Sequence, residues 1–107
     1  KGSKKYLTRA EAIPILVRFA KLEEPQYIYE DPFYDVSTSH PAAKAIHLAK
    51  NEDWLVFLTG NRFEPERRIT RLEALKILAH FPVVQENIMS LYQEKSILEI
   101  QKSLKAH

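Results

Sequence analysis

The sequence predicts a small all-α protein: a helical bundle of helix-loop-helix repeats with a helical C-terminal tail. Three observations lead there. One segment occurs twice, each copy carries apolar residues at helical spacing, and the hydrophobic (45%) and charged (28%) fractions lie in the ordinary globular range. At 107 residues the chain is read as a single domain. Within it, 1–5 is read as a disordered leader or cloning remnant, 6–82 as the repeat region and 83–107 as the tail.

The repeat is the firmest feature. Aligning Thr8–Phe19 with Thr70–Phe81 matches seven of twelve positions at an offset of 62 residues, without a gap. The identities include Thr8/Thr70, Arg9/Arg71, Glu11/Glu73 and Ala12/Ala74. A period of this size marks a supersecondary unit that cannot bury its apolar face alone. Thr followed three residues later by Glu is a capping box, in which hydroxyl and carboxylate each take a first-turn amide. Thr8 and Glu11, and again Thr70 and Glu73, are therefore expected helix caps. Ala12, Ile15, Leu16 and Phe19 make the expected stripe of the first helix, and Ala74, Ile77, Leu78 and Phe81 that of the second. Pro14 removes an amide inside the first helix, so a kink is expected, or a start nearer Pro14.

A third helix is expected between the copies. It starts at Pro41 with Ser39 or His40 as cap and has a small-residue face of Ala42, Ala43, Ala45, Ile46, Leu48 and Ala49. Residues 27–36 read as an ordered, aromatic loop, and Leu55–Leu58 is too short a run to assign. In the tail, Ile88, Leu91 and Tyr92 share one face while Ile97, Ile100 and Leu104 lie nearly opposite. Two short helices, the second capped by Ser96 and Glu99, fit this pattern. One helix buried on two sides fits it as well.

Several function classes recede on composition. A net charge of +2 is too small to imply nucleic acid, and Glu64 and Glu66 interrupt the cluster of Arg62, Arg67, Arg68 and Arg71. With two glycines the chain can write neither a dinucleotide fingerprint nor a P-loop, so no cofactor is expected. The four histidines have no metal-ligand spacing, no nucleophile accompanies the carboxylates, and no apolar run is long enough to span a membrane. The chain is accordingly expected to be no enzyme and to hold no metal. The absence of cysteine leaves the compartment open. The start, Lys1-Gly2-Ser3 without an initiator methionine, reads as that of an excised or processed segment, compatible with a signal peptide upstream.

Arg9 and Arg71 stand against their own helix dipoles, a placement that costs about 0.3–1 kcal/mol at exposed sites. They pair with a neighbouring loop, Asp35 being one partner, or join the first-turn amides in binding a carboxylate, or are simply exposed to solvent. Asp35 either caps a turn or pairs with an arginine. Trp54 either fills the core or stacks on a sugar ring.

The order Phe33-x-Asp35-Val36, His40-Pro41-Ala42-Ala43-Lys44-Ala45-Ile46, Gly60-x-x-Phe63-x-Pro65 and Ile69-Thr70-Arg71-x-Glu73-Ala74 resembles one complete S-layer homology motif. Tyr6–Leu22 resembles the closing half of a preceding motif. The resemblance implies a non-catalytic module at the bacterial envelope, anchoring an exported protein to cell-wall-linked, pyruvylated polysaccharide. Arg9, Arg71, Asp35 and Trp54 are then its candidate ligand-binding residues. Only one and a half motifs are present, so the alternative is an assembly module that keeps the scaffold without the sugar site, with self-association through 83–107.

Overall fold

The computed structural model describes residues 5–105; of the expected leader, 1–4 lie outside the described residues. Four helices follow in order: α1 (Arg9–Phe19), α2 (Ala43–Asn51), α3 (Arg71–Leu78) and α4 (Pro82–Lys105). The protein is all-α. Among the described residues only two isolated bridges occur, Thr8 with Arg68 and Phe33 with Val36. The chain divides into two compact units, 1–77 and 78–107.

Helix α1 begins where its cap dictates. The Thr8 hydroxyl accepts the Glu11 amide at 3.1 Å and the Glu11 carboxylate accepts the Thr8 amide at 2.9 Å. The helix starts at Arg9 and runs through Pro14, so no late start occurs. It buries Ala10, Ala12, Ile13 and Val17, whereas Ile15 and Phe19 are exposed. This corrects the expected stripe: apolar side chains stand on two sides of α1, and the one that is buried is the one facing α2. The helices α1 and α2 make the main helix–helix contact. On α2 the buried set is Ala43, Ala45, Ile46 and Ala49, and the three alanines let the helices approach closely. Complete burial of Ile46 or Ile13 contributes about 1.5–3 kcal/mol each.

The start of α2 lies two residues later than Pro41. Pro41 and Ala42 form a turn, and His40 caps from outside, its Nδ1 accepting the Ala42 amide at 2.9 Å. Ser39 instead exchanges a hydroxyl hydrogen bond with Ser37. Both α1 and α2 end in the Schellman arrangement, in which the sixth residue's amide returns to the helix and the fifth is left-handed. Leu22 donates to Val17 O and Lys21 to Arg18 O; Trp54 donates to Ala49 O and Asp53 to Lys50 O. The left-handed positions are held by Lys21 (φ 60°) and Asp53 (φ 64°) rather than by glycine. The second of these turns delivers Trp54 into the core of unit 1–77, where it is 3% exposed. Phe33 and Phe63 complete that core, their rings 5.5 Å apart.

In unit 78–107, α4 is one continuous helix of 24 residues. It passes through Ser96 and Glu99 without a break, so no second helix starts there. Met89, Ile97, Leu98, Ile100 and Leu104 are exposed, and the side chains of the expected face, Ile88, Leu91 and Tyr92, lie outside the described residues.

Candidate anion-binding groove

Arg9 organises the region around the start of α3. Its side chain is 7% exposed, and every nitrogen of the guanidinium is used. Nη2 and Nε fork onto the Glu73 carboxylate at 2.5 and 3.3 Å, and Nη1 donates to Phe63 O at 2.7 Å. Bidentate geometry of this kind is the strong form of the arginine–carboxylate pair. Glu73 also serves its own helix: it accepts the Thr70 amide at 3.2 Å while Thr70 Oγ1 accepts the Glu73 amide at 3.1 Å. Burial works to raise the pKa of Glu73. The hydrogen bonds from Arg9 and Thr70 and the charges of Arg9 and Arg67 outweigh it, so the pKa lies below the usual carboxylate range.

Asp35 holds the other side of the same turn. Its two carboxylate oxygens accept the successive amides of Phe63 and Glu64 at 2.9 and 2.8 Å. Glu64 sits at φ 57°, a conformation that L side chains adopt at a cost, and the clamp from Asp35 holds it there. The peptide of Phe63 is thus gripped from both ends, by Asp35 on its amide and by Arg9 on its carbonyl.

Beside this turn lies a groove of about 380 Å³ whose wall includes Arg9, Phe57, Arg62, Arg67, Thr70, Glu73 and Lys76. Its two carboxylates are already committed, Glu73 to Arg9 and Glu64 to Arg67 at 3.3 Å. Arg62 and Lys76 have no carboxylate partner among the described residues. Each lies over an aromatic ring instead, Arg62 5.9 Å from Tyr34 and Lys76 5.5 Å from Phe57. Such contacts restrain a cation without neutralising it.

The four residues singled out in the sequence do not converge. Arg9 forms the floor of the groove, with its charge spent on Glu73 and not on Asp35. Asp35 caps the 63–64 turn. Trp54 is buried, which leaves no face for a sugar ring. Arg71 is exposed and makes no side-chain bond among the described residues. Arg62 and Lys76 are two groove cations that the sequence reading did not bring together. Arg62 was visible as part of a mixed-charge run, but nothing local connects it to Lys76, fourteen positions on.

The match to known families falls on this region. Residues 32–75 match the family model of the S-layer homology domain. Over that segment the chain is similar to S-layer homology domains. It takes in Asp35, Glu73 and the groove wall apart from Arg9 and Lys76. No curated protein and no solved structure shows a significant match to the chain. Domains of this family are binding modules associated with the cell surface and its wall polymers. Among the described residues no helix is long and apolar enough to cross a membrane.

Proposed function

We propose that the groove of the S-layer homology segment binds an anionic group, a pyruvate ketal carboxylate, on a cell-wall-linked polysaccharide, and so anchors an exported bacterial protein. The observation that carries this reading is the pair Arg62 and Lys76. Two cations on one groove, with every neighbouring carboxylate already engaged, attract an anion from outside the chain. Arg9 and Asp35 act by position: they fix the 63–64 turn that shapes the groove wall. Trp54 has no contact with the polymer in this reading.

Co-sedimentation with purified sacculi tests it, before and after the wall-linked polymer is stripped. Wild-type protein pellets with intact sacculi only, and the double variant Arg62→Ala, Lys76→Ala stays in solution. Both positions are exposed, so an unchanged Trp54 emission certifies the fold of unit 1–77. Equal binding to stripped sacculi, or undiminished binding of the double variant, refutes the reading.

A further inference from the structure

The turn that shapes the groove carries an aromatic side chain for which neither the core nor the pair of cations accounts. Tyr34 is 62% exposed, while Phe33 before it and Val36 after it are buried. Its hydroxyl makes no hydrogen bond among the described residues. Its place is nonetheless fixed. The Tyr34 amide donates to Asn61 O at 3.1 Å, and the Asp35 carboxylate takes the amides of Phe63 and Glu64. Arg62 therefore stands between two residues that are bonded to Tyr34 and Asp35, and its guanidinium carbon lies over the Tyr34 ring, 5.9 Å from the centre. That is the outer limit of a cation–π contact, so the ring is not used up on Arg62. Phe57, under Lys76, differs in being half-buried in the groove wall. Tyr27 and Tyr29 are exposed as well, but no hydrogen bond or ring contact among the described residues ties them to the groove.

We infer that Tyr34 is a stacking platform for a pyranose ring of the polymer, next to the sugar whose carboxylate Arg62 and Lys76 take. This rests on the polymer reading of the groove and names the residue that makes the site prefer a saccharide to other polyanions. A pyranose presents a face of C–H groups, and the negative face of an aromatic ring packs against such a face. Arg62 lies over one side of the Tyr34 ring, and the surface that solvent reaches is left for a ligand. The backbone is pinned on both sides and the side chain has only two torsions, so little freedom is lost when a sugar settles on it. The cations attract any anion, whereas a flat apolar face beside them selects one that is carried on a sugar chain. A ring that served only to steady Arg62 would stand closer than the limit of contact.

The test is quantitative co-sedimentation of the full chain with sacculi that carry the wall polymer, repeated at several salt concentrations. Tyr34→Leu keeps an apolar side chain, removes the aromatic face and weakens binding about tenfold, the scale of one stacked ring. Tyr34→Phe keeps the face, loses only the hydroxyl and binds like wild type. Because both cations remain, Tyr34→Leu retains the wild-type fall of affinity with salt, whereas Arg62→Ala, Lys76→Ala flattens it. Tyr34 is exposed, so unchanged Trp54 emission certifies the fold of each variant. Three results overturn the proposal: wild-type affinity in Tyr34→Leu, an equal loss in Tyr34→Phe, or a flattened salt dependence in Tyr34→Leu. The last would make the ring a support for Arg62 and nothing more. Wild-type affinity in Tyr34→Leu, with the double variant still defective, sinks the stacking role and leaves the polymer reading standing. A wild-type chain that ignores intact sacculi sinks both.

Discussion

Replacing Arg9 and Arg71 in turn by alanine compares two residues in the same Thr-Arg-x-Glu context whose surroundings differ completely. Arg9→Ala strips a carboxylate that is 13% exposed of its bidentate partner and leaves Phe63 O without its donor. Breaking a buried pair in this way costs about 3–5 kcal/mol, and an orphaned carbonyl about 1–3. The two overlap, so a loss of about 4 kcal/mol is the expected total. A unit of this size has roughly 4–12 kcal/mol of stability in all, so the variant is left marginal. Arg71→Ala removes no bond and relieves an unfavourable dipole interaction of about 0.3–1 kcal/mol. It is neutral or slightly stabilising. The assay is urea unfolding followed by emission of Trp54, the one tryptophan, whose burial makes it a reporter for unit 1–77 alone. With a slope near 1 kcal/mol per molar urea, the midpoint falls by about 3–4 M for Arg9→Ala and stays or rises for Arg71→Ala. Arg9→Lys keeps the charge but loses the fork and falls between them. Midpoint shifts for the two alanine variants that agree within about 0.5 M, half a kilocalorie on that slope, would refute the claim that Arg9 is held by the following repeat and Arg71 is not.

Three further outcomes follow from the same geometry. Because the folded-state pKa of Glu73 is depressed, its stabilisation is complete above the ordinary glutamate value of about 4.3 and is lost as pH falls through the lower folded value; urea midpoints between pH 2.5 and 6 drop with acid in the wild type, while Glu73→Gln starts lower and drops less. Asp35→Asn, although isosteric, puts an amide donor against one of the two amides that Asp35 accepts, and costs about 1–3 kcal/mol in the same assay. Lys21→Gly and Asp53→Gly each relieve a left-handed side chain and raise the midpoint by the equivalent of about 0.5–1 kcal/mol, whereas Lys21→Ala brings no such gain.

What could be read from the sequence was what is settled within one or two turns. The capping boxes are satisfied by residues three apart, and they place the starts of α1 and α3. Helix ends were harder, because Lys21 and Asp53 stand where glycine would have announced the left-handed residue. The stripe of α1 was misread for a longer-range reason. Ile13 and Ile15 project to nearly opposite sides of a helix, so periodicity within the segment cannot say which is buried; α2, some thirty residues later, decides it. Asp35 finds amides 28 and 29 positions away, and no local pattern distinguishes that from an arginine partner.

The same distance separates the two arginines. A cation in the first turn of a helix is a local cost in both copies, and the repeat alone gives no reason for it. The structure gives one for Arg9: its charge crosses to Glu73, the capping residue of the next copy, 64 positions on. Glu73 is thus read twice, once by Thr70 within its own helix and once by the preceding repeat. The capping carboxylate thereby also ties the two copies together, its Oε1 shared between Thr70 N and Arg9 Nε and its Oε2 accepting from Arg9 Nη2. Within Thr70-Arg71-x-Glu73, Glu73 has received the arginine of the preceding copy, whereas Arg71 is exposed and makes no side-chain bond among the described residues.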